Sequence, residues 1–178
     1  MPTYIALLRA INVGGRIFKM ADLRAALEAS GLEDVETYIQ TGNVRFKTPT
    51  RSKEKVERYV EDTLAGGCGF EVPAIVLTPK ELKRVYDDAA GLPSPLPGDL
   101  RRYVTFLKTD PPAEGVEEID AWNVEGERAT VVGRAVHMWL TKPSHEAKLS
   151  NTRFERSLGV GTTRDLKVVS TLAERWGS

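Results

Sequence analysis

The sequence contains little of the chemistry that marks secreted or membrane-spanning proteins. Its single cysteine, Cys68, excludes a disulfide within the chain, and its formal net charge of zero, from 25 basic and 25 acidic residues, argues against a general polyanion binder. No apolar run approaches the roughly 20 residues that a membrane-spanning helix needs. The beginning, Met1-Pro2-Thr3-Tyr4, lacks the basic and apolar segments of a secretory signal. We therefore expect a cytoplasmic protein with no membrane partner.

Motifs of catalysis and metal binding are also missing. The two histidines, His137 and His145, do not have the spacing of a helical zinc site, and one cysteine cannot build a cysteine-based site. There is no serine-nucleophile elbow, and the topology predicted below places neither histidine near Cys68. The sequence therefore predicts no metal and no cofactor. It leaves open whether the protein is an enzyme and which residues would be catalytic.

The first half of the chain begins with strand and helix patterns in alternation. Residues 3–9 are almost continuously apolar, which is typical of a central strand covered on both faces. Apolar residues at helical spacing follow from Met20 and stop at Ser30-Gly31. Val35, Thr37 and Ile39 then alternate with polar residues. A second alternating run begins after Thr41-Gly42-Asn43, so the two runs predict a hairpin.

A second helix and a fourth strand complete this pattern. The helix is predicted to end at Gly66-Gly67, and residues 72–77 form an apolar strand whose Pro73 suits a sheet edge. A linking helix is predicted from Pro79 to about Ala90. The order β-α-β-β-α-β is that of a ferredoxin-like unit, whose sheet order is 4-1-3-2.

The second half repeats the pattern. Residues 103–108 match residues 4–9 position by position in character, and the elements that follow have the same order. We therefore predict an α/β (α+β) protein made of two tandem ferredoxin-like βαββαβ halves that arose by internal duplication. The predicted domains are residues 1–90 with the linking helix, a Pro/Gly-rich linker over 91–100, and residues 101–178.

Charge is distributed unevenly along the chain. Seven acids and no base lie between Asp110 and Glu127, whereas Arg9 to Lys19 contains three bases and no acid. Such runs are most often solvated faces, and we interpret the acidic run in that way.

The predicted topology brings three loops of the first half to one end of the sheet. The long connection after the first strand, the hairpin turn and the segment before the fourth strand meet there. Glycine allows close backbone approach, and exposed amides with nearby bases can bind an anion. The candidate ligand-binding residues are Arg9, Asn12, Gly14, Gly15, Lys19, Thr41 and Asn43. The alternative is that the glycines only shape a turn and the asparagines only close backbone turns.

A second anion site is predicted where the last helix begins, near Asp165. The hydroxyl of Thr163, the guanidinium of Arg164 and the ammonium of Lys148 would complete it beside the first amides of that helix. The alternative is that Asp165 caps the helix itself, since Asp is among the best helix caps.

Three motifs resemble a known family. They are Leu8-Arg9-Ala10-Ile11-Asn12-Val13-Gly14-Gly15, then Met20-Ala21-Asp22-Leu23, and Thr37-Tyr38-Ile39-Gln40-Thr41-Gly42-Asn43-Val44. Together with Thr162-Thr163-Arg164, they are similar to the bacterial domain of unknown function 1697 family. The resemblance implies two ferredoxin-like halves and no established activity. The chain departs from the family pattern at Asp165-Leu166-Lys167, where Asn-Trp-Asn is usual, so no role of that Asn or Trp is carried over.

These observations favour a small cytosolic protein that binds a small anionic or phosphorylated ligand. The alternative is a nucleic-acid or protein-protein interaction module. Nucleic acid is the less favoured partner, because the RNA-binding pattern of ferredoxin-like sheets is absent and the net charge is zero. The sequence does not predict the oligomeric state.

Overall fold

The protein is a mixed α/β chain with two four-stranded sheets. A computed structural model describes all residues, Met1–Ser178. Its strands are β1 (Thr3–Leu8), β2 (Glu33–Tyr38), β3 (Asn43–Lys47), β4 (Ala74–Leu77), β5 (Arg101–Leu107), β6 (Glu127–Val132), β7 (Ala135–Leu140) and β8 (Gly161–Asp165). Its helices are α1 (Met20–Ala29), α2 (Lys53–Cys68), α3 (Pro79–Gly91), α4 (Ala113–Asp120), α5 (Asn151–Leu158) and α6 (Leu166–Trp176), with a 3₁₀ turn at Ser144–Glu146.

Both sheets have the ferredoxin-like strand order. The first runs β2-β3-β1-β4 and the second β6-β7-β5-β8, and neighbouring strands are antiparallel throughout. The central position of β1 explains its continuous apolar sequence, since side chains on both of its faces are buried. The predicted fold class, two tandem βαββαβ halves, is confirmed.

The core of the first half lies between one face of its sheet and helices α1 and α2. Alternate residues of β1 and β3, among them Tyr4, Ala6 and Phe46, pack against Leu23 of α1 and Leu64 of α2. The apolar residues that alternate along the strands and those that recur at helical spacing in α1 and α2 therefore form one buried cluster.

Helix α2 is longer than the sequence predicted. Gly66 and Gly67 lie inside it, and the helix ends instead at Gly69, whose φ of +80° is the left-handed conformation that favours glycine. A Cβ at Gly67 would lie 3.3 Å from the ring of Phe18, so this glycine lets the ring pack closely against the helix. Cys68 is consequently the last helical residue and not a loop residue.

Ile39 also differs from its predicted place in the hairpin. It lies beyond the end of β2, with a φ of +51°, and its side chain is exposed. The strand ends at Tyr38, and the left-handed backbone of Ile39 turns the chain into the loop that leads to Gly42.

Helix α3 begins with a reciprocal capping box. The hydroxyl of Thr78 accepts a hydrogen bond from the Glu81 amide at 3.1 Å, and the Glu81 carboxylate accepts one from the Thr78 amide at 2.8 Å. Pro79 occupies the first helical position, where its missing N–H costs nothing. Lys53 of α2 donates a further hydrogen bond to Glu81, at 2.5 Å.

In the second half, helices α4 and α5 cover one face of the sheet. Val136, Met138 and Leu140 of β7 pack there with Ile119 of α4 and Phe154 of α5. Gly115 makes the close approach of these helices possible, because a Cβ at that position would lie 1.8 Å from the carbonyl oxygen of Ser157.

The acidic run of the second half is not solvated throughout. Its last member, Glu127, is fully buried at the start of β6, although the sequence placed it on a solvated face. Lys142 and the backbone amides of Lys148 and Leu149 donate hydrogen bonds to its carboxylate. These bonds replace the hydrogen bonds that water would make to an exposed carboxylate.

The chain divides into two compact units. One comprises Met1–Leu82 with Arg175–Ser178, and the other comprises Lys83–Glu174. Within the first unit, the indole of Trp176 donates a hydrogen bond to Glu36 at 2.9 Å. No helix of the protein combines the length and apolar character that crossing a membrane requires.

Candidate functional site

The predicted loops of the first half do meet at one end of its sheet. Asn12 connects two of them. Its side-chain amide nitrogen donates to the carbonyl of Gln40 at 2.7 Å, and its side-chain oxygen accepts from the backbone amide of Phe18 at 2.8 Å. The backbone of Asn12 has a φ of +57°, which asparagine tolerates better than most residues. Asn12 therefore holds the β1–α1 loop against the β2–β3 turn.

Asn43 has a comparable structural role in the turn. Its fully buried side chain donates to the carbonyl of Tyr38 at 2.9 Å and to the hydroxyl of Thr41 at 3.1 Å. The Leu8 amide also donates to the carbonyl of Gly42 at 2.8 Å, which fastens the turn to the end of β1. Asn43 thus closes the turn, whereas Asn12 joins two loops; a ligand-binding role of either residue stays a prediction.

The remaining candidates of this end differ in exposure. Gly14 and Gly15 form the exposed tip of the loop, with φ values of +53° and +83° and open space where a Cβ would lie. Lys19 is exposed just before α1, and Arg9 is half-buried at the end of β1. The structure brings these residues to one end of the sheet, but their role as anion ligands stays a prediction.

The second predicted set, Lys148, Thr163 and Arg164, is dispersed. Thr163 and Arg164 are adjacent in β8, so their side chains lie on opposite faces of the sheet. The hydroxyl of Thr163 is 2.6 Å from the side-chain oxygen of Asn151 and 2.7 Å from the hydroxyl of Thr105. Lys148 is exposed.

Arg164 is buried with its charge. It donates to the hydroxyl of Thr162 at 2.8 Å and to the carbonyl of Thr163 at 3.0 Å. Burial lowers the pKa of Arg164 to about 10, which leaves the guanidinium charged at neutral pH. Asp165 accepts a hydrogen bond from the Lys167 amide at 2.8 Å and so caps α6 itself.

A cavity of about 910 Å³ does lie beside the start of α6, within the second unit. The basic residues in its lining are Arg101 and Arg102 of β5 and Lys167 of α6. The cavity forms where β5 begins and β8 ends, because Tyr103 pairs with Asp165 in the sheet. The other lining residues are Tyr86, Ala90, Asp99, Leu100, Tyr103, Thr141, Asp165, Leu166 and Ser170.

Arg102 has the most constrained position of the three bases. Its guanidinium lies 4.8 Å from the centre of the Trp139 ring and donates to the carbonyl of Ala89 at 3.0 Å. Its Nε is buried without a hydrogen-bond partner. Burial lowers the pKa of Arg102. The guanidinium is therefore held at the cavity wall by packing, with hydrogen-bonding capacity left unused.

His137 lies near Arg102 in the same sheet. The side chain is fully buried on β7, and neither ring nitrogen has a hydrogen-bond partner. Burial and the charge of Arg102 lower the pKa of His137 to about 4, with Asp88 opposing them. The imidazole is therefore neutral at physiological pH.

Sequence reasoning predicted a site at the start of α6 but not the residues that line this cavity. A basic doublet, Arg101-Arg102, stands directly after the Pro/Gly-rich segment and was the available signal. The structure groups no three His, Cys, Asp or Glu side chains in the way a metal site requires.

Comparisons with known proteins agree with the fold. A model of the family described as "Protein of unknown function (DUF1697)" matches residues 1–137, which include Arg101 and Arg102 but not Lys167. No curated protein matches the chain. The structure of the conserved bacterial protein SP0830 from Streptococcus pneumoniae is similar over 100% of this chain and 99% of that chain, with a TM-score of 0.72. The two sequences are 23% identical, so this likeness shows the fold alone.

Proposed function

The chain belongs to the DUF1697 family of proteins of unknown function, and from its own structure we propose that it binds a small anionic ligand in the cavity beside α6. The presence of three basic residues, Arg101, Arg102 and Lys167, in the lining of one cavity carries this proposal. Each base comes from an element end, where the sheet and the helix meet. A carboxylate or phosphate group would be contacted there by cations from two elements.

The other lining residues fit an organic anion. Tyr86, Tyr103, Thr141 and Ser170 provide hydroxyl groups that can fix the orientation of polar atoms. Apolar contact comes from Ala90, Leu100 and Leu166. A volume of about 910 Å³ is within the range of small-molecule sites.

The charge balance of the cavity favours an anion over a cation. The three bases face two acids, Asp99 and Asp165, and the carboxylate of Asp165 is already engaged by the Lys167 amide. Neither Arg101 nor Lys167 has an ion-pair partner in the structure, so both charges are available to a ligand. We further infer a cytoplasmic location, which the single cysteine supports.

A thermal-shift titration tests the proposal. Inorganic phosphate, citrate, sugar phosphates and nucleoside monophosphates are each titrated against wild type, Arg101→Gln and Lys167→Gln. Both side chains are exposed, so the variants should fold normally. A ligand at about 100 times its dissociation constant should stabilise wild type by roughly 2.7 kcal/mol and the variants by clearly less.

The matched control is Lys55→Gln, which removes an exposed lysine outside the cavity lining. It should respond to the ligand as wild type does. Equal stabilisation of all four proteins, or stabilisation by none of these anions, would argue against the cavity as an anion site.

A further inference from the structure

Three large aliphatic side chains are exposed together at the loop end of the first half. Ile17 is 69% exposed, Val13 57% and Ile39 42%, and they account for most of the large apolar side chains that the protein exposes. Val13 and Ile17 belong to the β1–α1 loop, and Ile39 belongs to the β2–β3 turn. We call these three residues the loop patch.

The loop patch is held in place by the backbone around it. The hydrogen bond from Asn12 to the carbonyl of Gln40 joins the neighbours of Val13 and Ile39 at 2.7 Å. The carbonyl of Val13 also accepts a hydrogen bond from the Arg16 amide at 3.0 Å, while the Asn12 amide donates to the carbonyl of Arg16 at 2.6 Å. The loop is therefore closed by its own hydrogen bonds and joined to the turn by another. These bonds fix the backbone positions from which Val13, Ile17 and Ile39 extend.

The conformation of Ile39 supports the same conclusion. Its φ of +51° is disfavoured for a β-branched residue, and the strand β2 ends immediately before it. Such outliers persist only where surrounding contacts hold them, and they cluster at functional surfaces. The contacts here are those of Asn43 and Gly42 with the ends of β2 and β1.

Positive charge accompanies the loop patch. The loop itself carries Arg9, Arg16 and Lys19 and no acid. The guanidinium of Arg16, which precedes Ile17 in the chain, lies 5.7 Å from the centre of the Phe70 ring. Arg16 and Lys19 are both exposed, and neither has an ion-pair partner in the structure, so both charges can pair with carboxylates of a partner.

We propose that the loop patch is a docking surface for an acidic, aliphatic segment of a partner protein. Aliphatic side chains of the partner would cover Val13, Ile17 and Ile39, and its carboxylates would pair with Arg16 and Lys19. A second copy of this chain fits less well, because a symmetric contact would bring the positive charges of both copies into one interface. A single-stranded nucleic acid is bound mainly by base stacking on exposed aromatic side chains, and the loop patch has none; a duplex would leave its three aliphatic side chains without apolar contacts.

Selection from a phage-displayed library of random 12-residue peptides tests this proposal. The peptides that bind wild type should be enriched in Asp and Glu together with Leu, Ile and Val. A selected peptide should bind Ile17→Ser and Arg16→Glu at least tenfold more weakly, and added salt should weaken its binding to wild type. Both substituted side chains are exposed, so circular dichroism should show native folding.

Lys148→Glu is the control, because it reverses an exposed charge in the other half of the chain. It should bind the selected peptide as wild type does. The proposal is overturned if no sequence is enriched or if the peptides bind the loop variants as tightly as wild type. It is also overturned if Ile17→Ser instead abolishes binding to phosphatidylglycerol vesicles or self-association measured by sedimentation.

Discussion

The carboxylate of Glu57 accepts a hydrogen bond from the backbone amide of Val76 at 3.2 Å. One turn further along α2, Glu61 accepts one from the amide of Ala74, also at 3.2 Å. Both amides belong to β4, which pairs with β1 on one side and is the edge of its sheet on the other. The helix therefore satisfies edge donors that would otherwise be open to another strand.

We expect the double variant Glu57→Ala/Glu61→Ala to be less stable and to self-associate. Each buried amide that loses its partner costs about 1–3 kcal/mol, and an unpaired edge can pair with another chain. Urea unfolding and sedimentation velocity at several concentrations measure the two effects. Asp62→Ala, an exposed acid on the same helix, should change neither; a monomeric double variant of wild-type stability would refute this role.

Gly42 offers a separate test of how tightly the β2–β3 turn packs on β1. Gly42 and Gly69 have similar φ values, +87° and +80°, but only at Gly42 would a Cβ meet neighbours, with Leu8 and Ile11 each 2.8 Å away. Gly69→Ala should therefore cost about 1–2 kcal/mol from the backbone alone. Gly42→Ala should cost about 1–3 kcal/mol more than that, from overpacking. If urea unfolding shows that Gly42→Ala and Gly69→Ala lose equal stability, the turn moves away from β1 at no cost and is not tightly packed.

Glu127 is expected to be a major stabilising residue of the second half. Its buried carboxylate accepts hydrogen bonds from Lys142 at 3.0 Å, from the Leu149 amide at 3.0 Å and from the indole of Trp122 at 3.3 Å. Burial raises the pKa of Glu127, but these bonds and that from the Lys148 amide lower it more, so the net pKa lies below its ordinary value. A lowered carboxylate pKa stabilises the fold above the ordinary value, and this stability is lost as the pH falls.

Glu127→Gln should therefore lose about 3 kcal/mol at pH 7, since Lys142 is left beside an uncharged group. Its stability should also depend less on pH below about 4.5 than that of wild type. Urea unfolding between pH 3 and 7 measures both effects. Glu125 is an exposed neighbour, and the control variant Glu125→Gln should behave as wild type. If the stability of Glu127→Gln falls at acid pH as steeply as that of wild type, Glu127 does not have the proposed stabilising role.

Local sequence patterns predicted most of the fold because its elements are set by short-range periodicity. The alternation of Val44 and Phe46, or the stop at Gly31, is readable from a few neighbouring residues. Positions whose state depends on distant partners were not readable. Gly67 lies inside α2, where the ring of Phe18 packs against it. Glu127 can be buried because Lys142 and Leu149, which are distant in the sequence, donate hydrogen bonds to its carboxylate.

The candidate site shows the same division. The predicted convergence of Asn12 with the β2–β3 turn followed from topology alone, and the structure contains it. Predicting the cavity of the second half would have needed the register that pairs Tyr103 with Asp165, because this register brings Arg101 and Lys167 into the lining of the same cavity. A shift of one residue would place the opposite side chains there, and apolar patterning does not resolve such a shift in a strand buried on both faces.

His137 carries the last prediction, because its burial makes stability sensitive to mild acid. Neither of its ring nitrogens has a partner, and burial first, then the charge of Arg102, lower its pKa from 6.5 to about 4. The unfolded chain therefore takes up a proton at a higher pH than the folded protein does. Stability should fall as the pH drops from about 6.5 toward 4, by up to roughly 3 kcal/mol.

His137→Leu should flatten this dependence, and at pH 7 it should be at least as stable as wild type, because no unpartnered polar group remains buried. Urea unfolding at intervals between pH 7 and 5 measures the slope above the range in which Glu127 is protonated. His145→Leu serves as the control, since His145 is 79% exposed and its loss should leave the wild-type slope unchanged. If His137→Leu keeps the wild-type slope, or if the NMR signals of the His137 ring titrate near pH 6.5, then the folded protein accommodates the charged imidazole and the packing around Arg102 is looser than the structure shows.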